Sequence, residues 1–451
     1  MLDLVVTGGT IVSADGAVRA DLGVRDGRVV SVGLDLGEAA ERVDADGLHV
    51  LPGLIDVHVH FRDPGMTSKE DFGSGSRAAA AGGVTTVFDM PNTSPPVSTA
   101  DRWRAKYETV APKAHVDFGL YGVVAQDNTD QLAPMAEAGA MGFKLFMGQT
   151  TGDNACPDDG TIFAAFRIAA ELGLVVGAHA ENNPVLQLLK KELKAAGRTD
   201  PRAHLDSRPA FVEAEAVTRA ATLAAAAGNH LHIHHLSTRE GLERVRYARS
   251  LGTRISCEAL VAHLLLDDES YDTHGNLVQL NPPIRPAEHV AALWDGVGRR
   301  EIDCVATDHA PHTADEQVRE NVWEACGGFI GVETLLPLML TQVAAGRLSL
   351  PRLVELTSAN PARIYGLHPR KGSLSVGADA DFVLVDTARH SAVQAESLHS
   401  LHPVTPYEGW KTVGAPVATW LRGRCVARDG DPVGDPSGRL VRPSRGGGPG
   451  V

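Results

Sequence analysis

Histidines stand one residue apart in an apolar stretch near the start of this sequence. In "GLIDVHVHFRDPG", which spans Gly53–Gly65, these are His58 and His60. Alternate residues of a β-strand point to the same face, so both imidazoles would share a face and could hold one metal ion. An isolated His-x-His pair is weak evidence, because most such pairs have no ligand.

Four other apolar runs each carry a metal-capable or reactive side chain at or near the C-terminal end of the run. His179 lies in "LVVGAHAEN", His235 in "HLHIHHLST", Asp308 in "DCVATDHAPH" and Lys144 in "GFKLFMG". A buried lysine loses its proton readily, and its amine can take up carbon dioxide as a carbamate that bridges two metals. The alternative is that Lys144 pairs with a carboxylate. Together these residues predict a metal site.

The apolar runs alternate with alanine-rich helical stretches. Eight such runs predict a parallel sheet covered on both faces, and eight strands close a (β/α)8 TIM-like barrel, an α/β fold whose sites lie at the strands' carboxyl ends. An open doubly wound sheet is the alternative, disfavoured because no Gly-x-Gly-x-x-Gly motif follows an early strand. The predicted strands are Leu54–Phe61, Val84–Met90, Val116–Val124, Gly142–Met147, Leu174–Ala180, His230–Ser237, Arg254–Leu260 and Ile302–Ala310.

The two ends of the chain differ from the middle. Residues 1–50 and 369–440 contain short β-rich runs broken by turn signals such as Gly-Gly and Asp-Gly. We therefore expect the barrel to occupy residues 51–368. The tail, residues 441–451, is rich in glycine and proline and is expected to be disordered.

Composition argues against several classes of protein. The formal net charge is −14 and no Lys/Arg-rich stripe or tail is present, so we expect no nucleic-acid partner. We expect no membrane span and no secretory signal peptide, because neither pattern occurs. The five cysteines are scattered and form no Cys-x-x-Cys pair, which fits a reducing cytoplasm better than a disulfide framework.

The chain resembles the cyclic amidohydrolases of the amidohydrolase superfamily, which include dihydroorotases, allantoinases and hydantoinases. The resemblance covers about residues 3–430. It implies a distorted (β/α)8 barrel, with both terminal segments joined into one small β-sandwich. We also expect a homo-oligomer, either a dimer or a tetramer. The matching segments are "PGLIDVHVHFRDPG", "GFKLFMG", "GAHAEN", "HIHHLS", "NPPIR", "TDHAPH", "KGSLSVGADADFVLVD" and "YEGW".

The resemblance implies a binuclear metal centre. A carbamate on Lys144 would bridge two divalent cations that activate a water molecule. Asp308 would be both ligand and catalytic residue, taking the proton and passing it to the leaving ring nitrogen. Imidazole and carboxylate ligands favour Zn²⁺, with manganese and iron as alternatives, and strand parity suggests that Asp56 orients one histidine. The implied ligands are His58, His60 and Asp308 for the more buried cation, and His179 and His235 for the second.

Two points of this assignment rest on the family pattern. Strand periodicity leaves His232, His234 and His235 open as ligands, and the family spacing selects His235. Some dihydroorotases bridge their metals with the aspartate of an Asp-Asp-Gly sequence, for which Asp158 is the candidate here. Lys144 fits the family spacing better.

Several residues favour a dihydroorotase, which converts dihydroorotate and water reversibly to N-carbamoyl-aspartate in pyrimidine biosynthesis. Arg62, Asn92 and His312 match the residues that bind the substrate carboxylate there, and Asn281 begins the similar segment "NPPIR". An arginine suits a carboxylate because its guanidinium can donate two parallel hydrogen bonds. The alternative is that Arg62 pairs with Asp63 or another acid.

Other residues favour an allantoinase, a hydantoinase (dihydropyrimidinase) or another cyclic-ureide amidohydrolase. Leu260–His263 stand where dihydroorotases usually have Thr-Pro-His-His, and "VWEACGGFIGVE" resembles the allantoinase loop. A non-catalytic scaffold or an assembly subunit is a third hypothesis, disfavoured because every ligand position is filled. We therefore expect an enzyme whose substrate is a small cyclic amide or ureide, with a carboxylate if it is a dihydroorotase.

Overall fold

The computed structural model describes residues 1–150, 156–317 and 319–444. Its strands are β1 (Leu2–Thr7), β2 (Thr10–Ser13), β3 (Gly16–Arg19), β4 (Asp21–Arg25), β5 (Arg28–Gly33), β6 (Ala39–Asp44), β7 (His49–Pro52), β8 (Leu54–Val59), β9 (Val84–Asp89), β10 (Asp117–Leu120), β11 (Gly122–Val124), β12 (Phe143–Phe146), β13 (Val176–His179), β14 (Leu231–Ile233), β15 (Ile255–Leu260), β16 (Cys304–Ala306), β17 (Phe382–Ala392), β18 (Lys411–Leu421), β19 (Arg424–Arg428) and β20 (Asp431–Pro432). Its α-helices are α1 (Phe72–Ala81), α2 (Ala100–Val110), α3 (Leu132–Ala138), α4 (Asp159–Leu172), α5 (Asn183–Ala195), α6 (Pro201–Asp206), α7 (Ala210–Ala227), α8 (Arg239–Ser250), α9 (Val261–Leu265), α10 (Ser270–His274), α11 (Ala287–Gly298), α12 (Ala314–Gln317), α13 (Leu335–Ala344), α14 (Leu350–Val354) and α15 (Asn360–Ile364).

Strands β8 to β16 form a parallel barrel. Strands β8, β9 and β10 pair in sequence order, as do β11 to β16. The third predicted strand is divided at Tyr121 into β10, which pairs with β9, and β11, which pairs with β12. The barrel closes where the backbone N–H of His60 donates to the carbonyl oxygen of His309 at 2.7 Å. The eight predicted strand positions and the predicted (β/α)8 barrel are confirmed.

Helices cover the outside of the barrel, and this explains the continuous apolar strands. Every residue of β8, β9 and β15 is buried, as expected for a parallel strand covered on both faces. Helix α4 begins after Asp158, whose side chain accepts a hydrogen bond from the backbone of Thr161, and ends at Gly173 in a left-handed conformation. Among the described residues, no helix combines the length and apolar character that crossing a bilayer requires.

The two terminal segments build one β-sandwich beside the barrel. One sheet has the order β5-β4-β1-β6, and the other has the order β20-β19-β18-β17-β7-β2-β3. Strand β17, from the C-terminal segment, pairs antiparallel with β7, from the N-terminal segment. The rings of Phe382 and Trp420 stack at 4.7 Å in the core between the sheets. The predicted sandwich of both termini is therefore confirmed.

A buried charge cluster joins the barrel to the C-terminal segment, at the barrel end where β10 begins. Nζ of Lys371 lies 2.5 Å from Oδ2 of Asp117, 3.0 Å from Oδ2 of Asp379 and 2.6 Å from Oδ2 of Asp381. Arg422 also pairs with Asp117. The cluster is at the opposite end of the barrel from the strand ends that carry the predicted metal ligands.

Residues 441–444 of the C-terminal segment contact the barrel. The backbone N–H of Val441 donates to the carbonyl oxygen of Phe118 at 2.8 Å, and that of Ser444 donates to Gly366 at 3.0 Å. Residues 441–444 therefore have defined contacts. The rest of the predicted disordered tail, residues 445–451, lies outside the described residues.

Candidate active site

The carboxyl ends of the barrel strands surround one pocket, and all six predicted metal ligands line it. The fold thus gathers side chains that are far apart in the sequence. These are His58 in β8, His60 just after it, Lys144 in β12, His179 at the end of β13, His235 after β14 and Asp308 after β16.

His58, His60 and Asp308 form the first group of ligands. Oδ1 of Asp308 lies 3.0 Å from Nε2 of His60 and 3.4 Å from Nε2 of His58. Burial lowers the pKa of both histidines, so both rings are neutral and keep a lone pair. One potential ligand atom from each of the three residues lies within 4.8 Å of the others. The group can therefore hold a single cation.

His179 and His235 form the second group. Nδ1 of His179 lies 3.0 Å from Nε2 of His235. Nε2 of His179 donates to Oε2 of Glu181 at 2.8 Å, which leaves Nδ1 as the atom with a lone pair. The ring centroids of His235 and His58 are 5.2 Å apart, so the two groups adjoin. His235 and Asp308 have φ values of 38° and 50°, a conformation that is uncommon for residues other than glycine and often marks functional sites.

Lys144 lies near these groups and has no hydrogen-bond or ion-pair partner among the described residues, although its Nζ lies 5.3 Å from the centre of the Phe146 ring. Its side chain is 1% exposed, and its Nζ makes no hydrogen bond with any described residue. Burial lowers the pKa of Lys144 to about 8, although Glu258 and Asp308 act in the opposite direction. The alternative of a simple lysine–carboxylate pair is therefore not what the described residues form. A buried amine with a lowered pKa and no partner fits carbamate formation.

Glu258, which the sequence analysis did not single out, holds several histidines in place. Its Oε1 lies 2.5 Å from Nδ1 of His58 and accepts a hydrogen bond from the backbone of His235 at 3.1 Å. Its Oε2 lies 3.1 Å from Nε2 of His232 and 3.2 Å from Nδ1 of His234. Burial would raise the pKa of Glu258, but the neighbouring His58 and His232 outweigh it and lower the pKa to about 2. The carboxylate fixes His58 with its Nε2 available for a metal.

Asp56 contacts His58 in a different way from the one expected. Its Oδ1 accepts a hydrogen bond from the backbone N–H of His58 at 3.2 Å, and Oδ2 accepts one from Oγ1 of Thr307 at 2.5 Å. It therefore ties the backbones of β8 and the segment after β16 together and does not hold an imidazole. Glu258 and Glu181 are the acids that orient rings. Strand parity placed Asp56 on the correct face but could not distinguish a ring contact from a backbone contact.

The structure separates the alternatives that sequence spacing left open. His235 lines the pocket, whereas His232 and His234 are buried but are not among its described lining residues. Asp158 is exposed and caps the N-terminus of α4, so it is not placed to bridge metals. Lys144 is the bridging candidate that the pocket contains.

Three of the four predicted substrate contacts line the pocket. Arg62, Asn92 and Asn281 do so, whereas His312 lies behind Arg62 and is not among the described lining residues. Nη2 of Arg62 lies 3.0 Å from Nε2 of His312, and Nε donates to the carbonyl oxygen of Pro311 at 3.1 Å. His312 therefore contacts the arginine and not the pocket.

The polar groups around the pocket are not all satisfied by the protein. Asp63 pairs with Lys113 at 2.7 Å, and no described carboxylate lies within ion-pair distance of Arg62. The side-chain oxygens of Asn92 and Asn281 are buried and have no hydrogen-bond partner among the described residues. These groups suit a small polar ligand that offers both carbonyl and N–H groups.

A second pocket of about 810 Å³ adjoins the first. The two pockets share Thr150, Asn281 and Gly327 as lining residues. Trp323–Gly327 form part of the wall of the second pocket, and they belong to the segment that resembles the allantoinase loop. The sequence difference from dihydroorotases therefore lies next to the candidate metal centre.

Known proteins resemble this chain along nearly its whole length. The amidohydrolase family matches residues 49–426. An allantoinase from Rubrobacter xylanophilus is 43% identical over 448 residues, which cover 98% of each chain. An L-hydantoinase from Paenarthrobacter aurescens is 38% identical over 438 residues, which cover 96% of each chain. The solved structure of an L-hydantoinase (dihydropyrimidinase) from Arthrobacter aurescens has a TM-score of 0.96 and 37% identity, covering 98% of this chain and 100% of that chain.

These relatives correct the preference for a dihydroorotase. Their names agree with the alternative, an allantoinase or a hydantoinase, and do not support a role in pyrimidine biosynthesis. Arg62 and Asn92 do not distinguish dihydroorotases from these relatives, because polar groups that line the first pocket can contact any polar ring. The segment Trp323–Gly327 was the better guide. The chain belongs to the amidohydrolase family and is an enzyme that hydrolyses cyclic amides.

Proposed function

We propose that this protein opens the five-membered ring of allantoin by hydrolysing a ring C–N bond. Allantoin is a hydantoin ring that carries a ureido substituent. The names of the relatives support this substrate, and the observation that carries the reaction is the convergence of six ligating or reactive side chains on one pocket. An uncharged ureide also removes the expectation of a substrate carboxylate.

The side chains of the pocket fit two divalent cations, for which Zn²⁺ is the proposed metal. Nζ of Lys144 has no hydrogen-bond partner among the described residues, which supports a carbamate, since conversion to an anion that ligates metals would remove an unsatisfied buried amine. When bound, the two cations would lower the pKa of a water molecule and polarise the ring carbonyl. The proposed ligands are His58, His60 and Asp308 for one cation, His179 and His235 for the other, and the carbamate of Lys144 for both.

Asp308 is the proposed proton carrier. Its carboxylate lines the pocket and faces His58 and His60, and the residue is 8% exposed. It would accept the proton of the attacking water and then deliver it to the ring nitrogen as the C–N bond breaks. One water molecule is consumed, and the ring amide would become a terminal NH2 group and a carboxylic acid, which releases a proton to become a carboxylate. Glu258 and Glu181 would keep the histidine rings in position throughout.

Arg62, Asn92 and Asn281 are proposed to bind the ring. The guanidinium of Arg62 can donate to a ring carbonyl, because no described acid neutralises it and it is held towards the pocket by Pro311 and His312. Asn92 and Asn281 have free side-chain oxygens that can accept ring N–H groups. These contacts would orient the scissile amide towards the metal centre.

An L-hydantoinase is the second candidate, and the near-complete superposition with an L-hydantoinase structure favours it. The ring and the bond broken would be the same, and the substituent would differ. The metal centre alone does not distinguish these substrates.

A substrate panel tests the proposal. Zinc-loaded protein should be assayed with allantoin, hydantoin, hydantoins with apolar substituents, dihydrouracil and dihydroorotate. We expect allantoin to have the highest kcat/KM. Turnover of dihydroorotate with no turnover of allantoin or hydantoins would overturn the proposal, as would the absence of any ring opening.

A further inference from the structure

The second pocket contains none of the proposed metal ligands, and it adjoins the first pocket through Thr150, Asn281 and Gly327. It is the larger of the two pockets. A substituent on a ring bound at the metal centre could extend into it. The polar side chains of its wall should therefore determine which substituents bind.

Gln279 lines this pocket, and its side-chain oxygen is a buried hydrogen-bond acceptor without a partner among the described residues. Nε2 of His204 donates to the carbonyl oxygen of Leu280 at 2.8 Å, so Nδ1 of this neutral ring must accept. The side-chain nitrogen of Gln279 lies 3.4 Å from that Nδ1 and donates to it. This contact fixes the orientation of the amide, and Oε1 of Gln279 is left without a partner among the described residues.

Asn281 and Lys190 add an acceptor and a donor. Oδ1 of Asn281, a residue that lines both pockets, is also buried and without a partner among the described residues. Nζ of Lys190 lies 5.8 Å from the centre of the Trp323 ring, and no described residue forms an ion pair or hydrogen bond with it. A bound group that donates to the amide oxygens and accepts from the ammonium would satisfy all three.

Arg208 also lines the second pocket, but its guanidinium already forms an ion pair and a hydrogen bond within the protein. Its guanidinium pairs with Glu181 and donates to the carbonyl oxygen of Gln149 at 2.7 Å. It therefore links the second pocket to His179, which Glu181 orients. Among the described residues that line this pocket, Lys190 is the cation that makes no hydrogen bond or ion pair.

We propose that the second pocket binds the ureido substituent of the substrate. The ureido N–H groups donate to Oε1 of Gln279 and to one lone pair of Oδ1 of Asn281, whose other lone pair remains for a ring N–H. The ureido carbonyl accepts from Lys190. A hydrocarbon substituent would leave both amide oxygens unsatisfied, and a carboxylate would place its oxygens against them. This inference rests on the proposed function and names the residues that would read the part of the substrate outside the ring.

The experiment compares two substrates that share a ring and differ in substituent. We would measure kcat/KM for allantoin and for 5-isobutylhydantoin with the zinc-loaded full chain and with Gln279→Met and Lys190→Met. In each variant, kcat/KM for allantoin divided by kcat/KM for 5-isobutylhydantoin should fall. The expected decrease is roughly 5- to 150-fold for the loss of one such hydrogen bond. Metal content should match that of the original protein, because neither residue lines the metal pocket.

Lys191→Met is the matched control, because Lys191 neighbours Lys190 on α5 but is exposed and does not line the pocket. It should leave the ratio unchanged. Lys190→Met breaks no hydrogen bond between described residues. It therefore tests whether the second pocket binds the ureido group even if Gln279→Met fails to fold. If Lys190→Met opens both rings with the same ratio of kcat/KM values as the original protein, the proposal that the second pocket binds the ureido group is wrong. The proposed function would not be affected by that result. Failure of the original protein to open either ring would overturn the proposed function as well.

Discussion

Nδ1 of His58 lies 2.5 Å from Oε1 of Glu258. On the other side of the ring, Nε2 of His58 lies 3.4 Å from Oδ1 of Asp308. Because Nδ1 donates to Glu258, Nε2 keeps its lone pair and faces the pocket. The tautomer of His58 that could bind a metal thus depends on Glu258, a carboxylate that is not itself among the described residues lining the first pocket.

Replacement of Glu258 should therefore weaken metal binding. In Glu258→Gln, the side chain keeps its size but loses the charge that orients His58, and we expect metal affinity to fall about 10- to 100-fold. Competition with a chelator of known affinity measures this. Glu355→Gln is the control, because it removes a carboxylate that pairs with Arg300 and Arg352 away from the pocket. Equal metal affinity in both variants would contradict the role of Glu258.

Lys144 should carry a carbamate. Protein loaded with zinc in ¹³C-labelled bicarbonate should show a carbamate resonance, and Lys144→Ala should lose that resonance together with metal and activity. Short carboxylic acids should restore part of the activity of Lys144→Ala, because they supply the missing anion. An unmodified Lys144 in fully active, metal-loaded protein would refute the bridge.

Asp308 should be needed for proton transfer as well as for metal binding. In Asp308→Asn the amide cannot take up the proton of the attacking water, and turnover should fall at least about 100-fold, the low end for a general base. The rate should be measured at saturating metal, and bound metal should be determined in the same sample. Near-normal turnover would show that another group carries the proton.

Lys371 should be important for stability and not for the metal site. The Lys371→Met substitution removes the buried cation that Asp117, Asp379 and Asp381 share. We therefore expect the free energy of unfolding to fall by about 3–5 kcal/mol. Urea unfolding measures the change. Arg19→Met, which breaks the exposed pair with Asp46, should cost at most about 1 kcal/mol. A similar small loss in both variants would show that the cluster adds little.

The barrel and its six inward groups could be predicted because both depend on local patterns. Continuous apolar runs marked the strands, and in a parallel barrel the carboxyl ends of all strands meet at one face. Residues such as His58 and Asp308 could therefore be grouped without coordinates, and the structure places them together. Their assignment to particular cations, the cytoplasmic location and the homo-oligomeric state stay predictions.

The supporting acids were harder to predict because their partners are distant in the sequence. Glu258 contacts His58, and Arg208 pairs with Glu181, through folding that no local spacing reports. The available signal for Glu258 was a single carboxylate in the otherwise uncharged, fully buried strand Ile255–Leu260. A charge in such a strand is costly unless it is paired, so it indicates a buried partner.

The preference for dihydroorotate as substrate, made from the sequence alone, was not supported for a related reason. Arg62 lines the first pocket, where a polar side chain could serve several ring substrates. The second pocket, in contrast, is assembled from Lys190, Gln279 and Trp323–Gly327, which come from separate segments. Their combined hydrogen-bonding pattern exists only in the folded chain.

The most direct test of the central claim is a zinc titration of chelator-treated protein, with the rate of allantoin ring opening followed at each addition. The account predicts an inactive metal-free protein whose activity returns in proportion to zinc and saturates at about two ions per chain. Full ring-opening activity in protein shown by elemental analysis to be metal-free would contradict it.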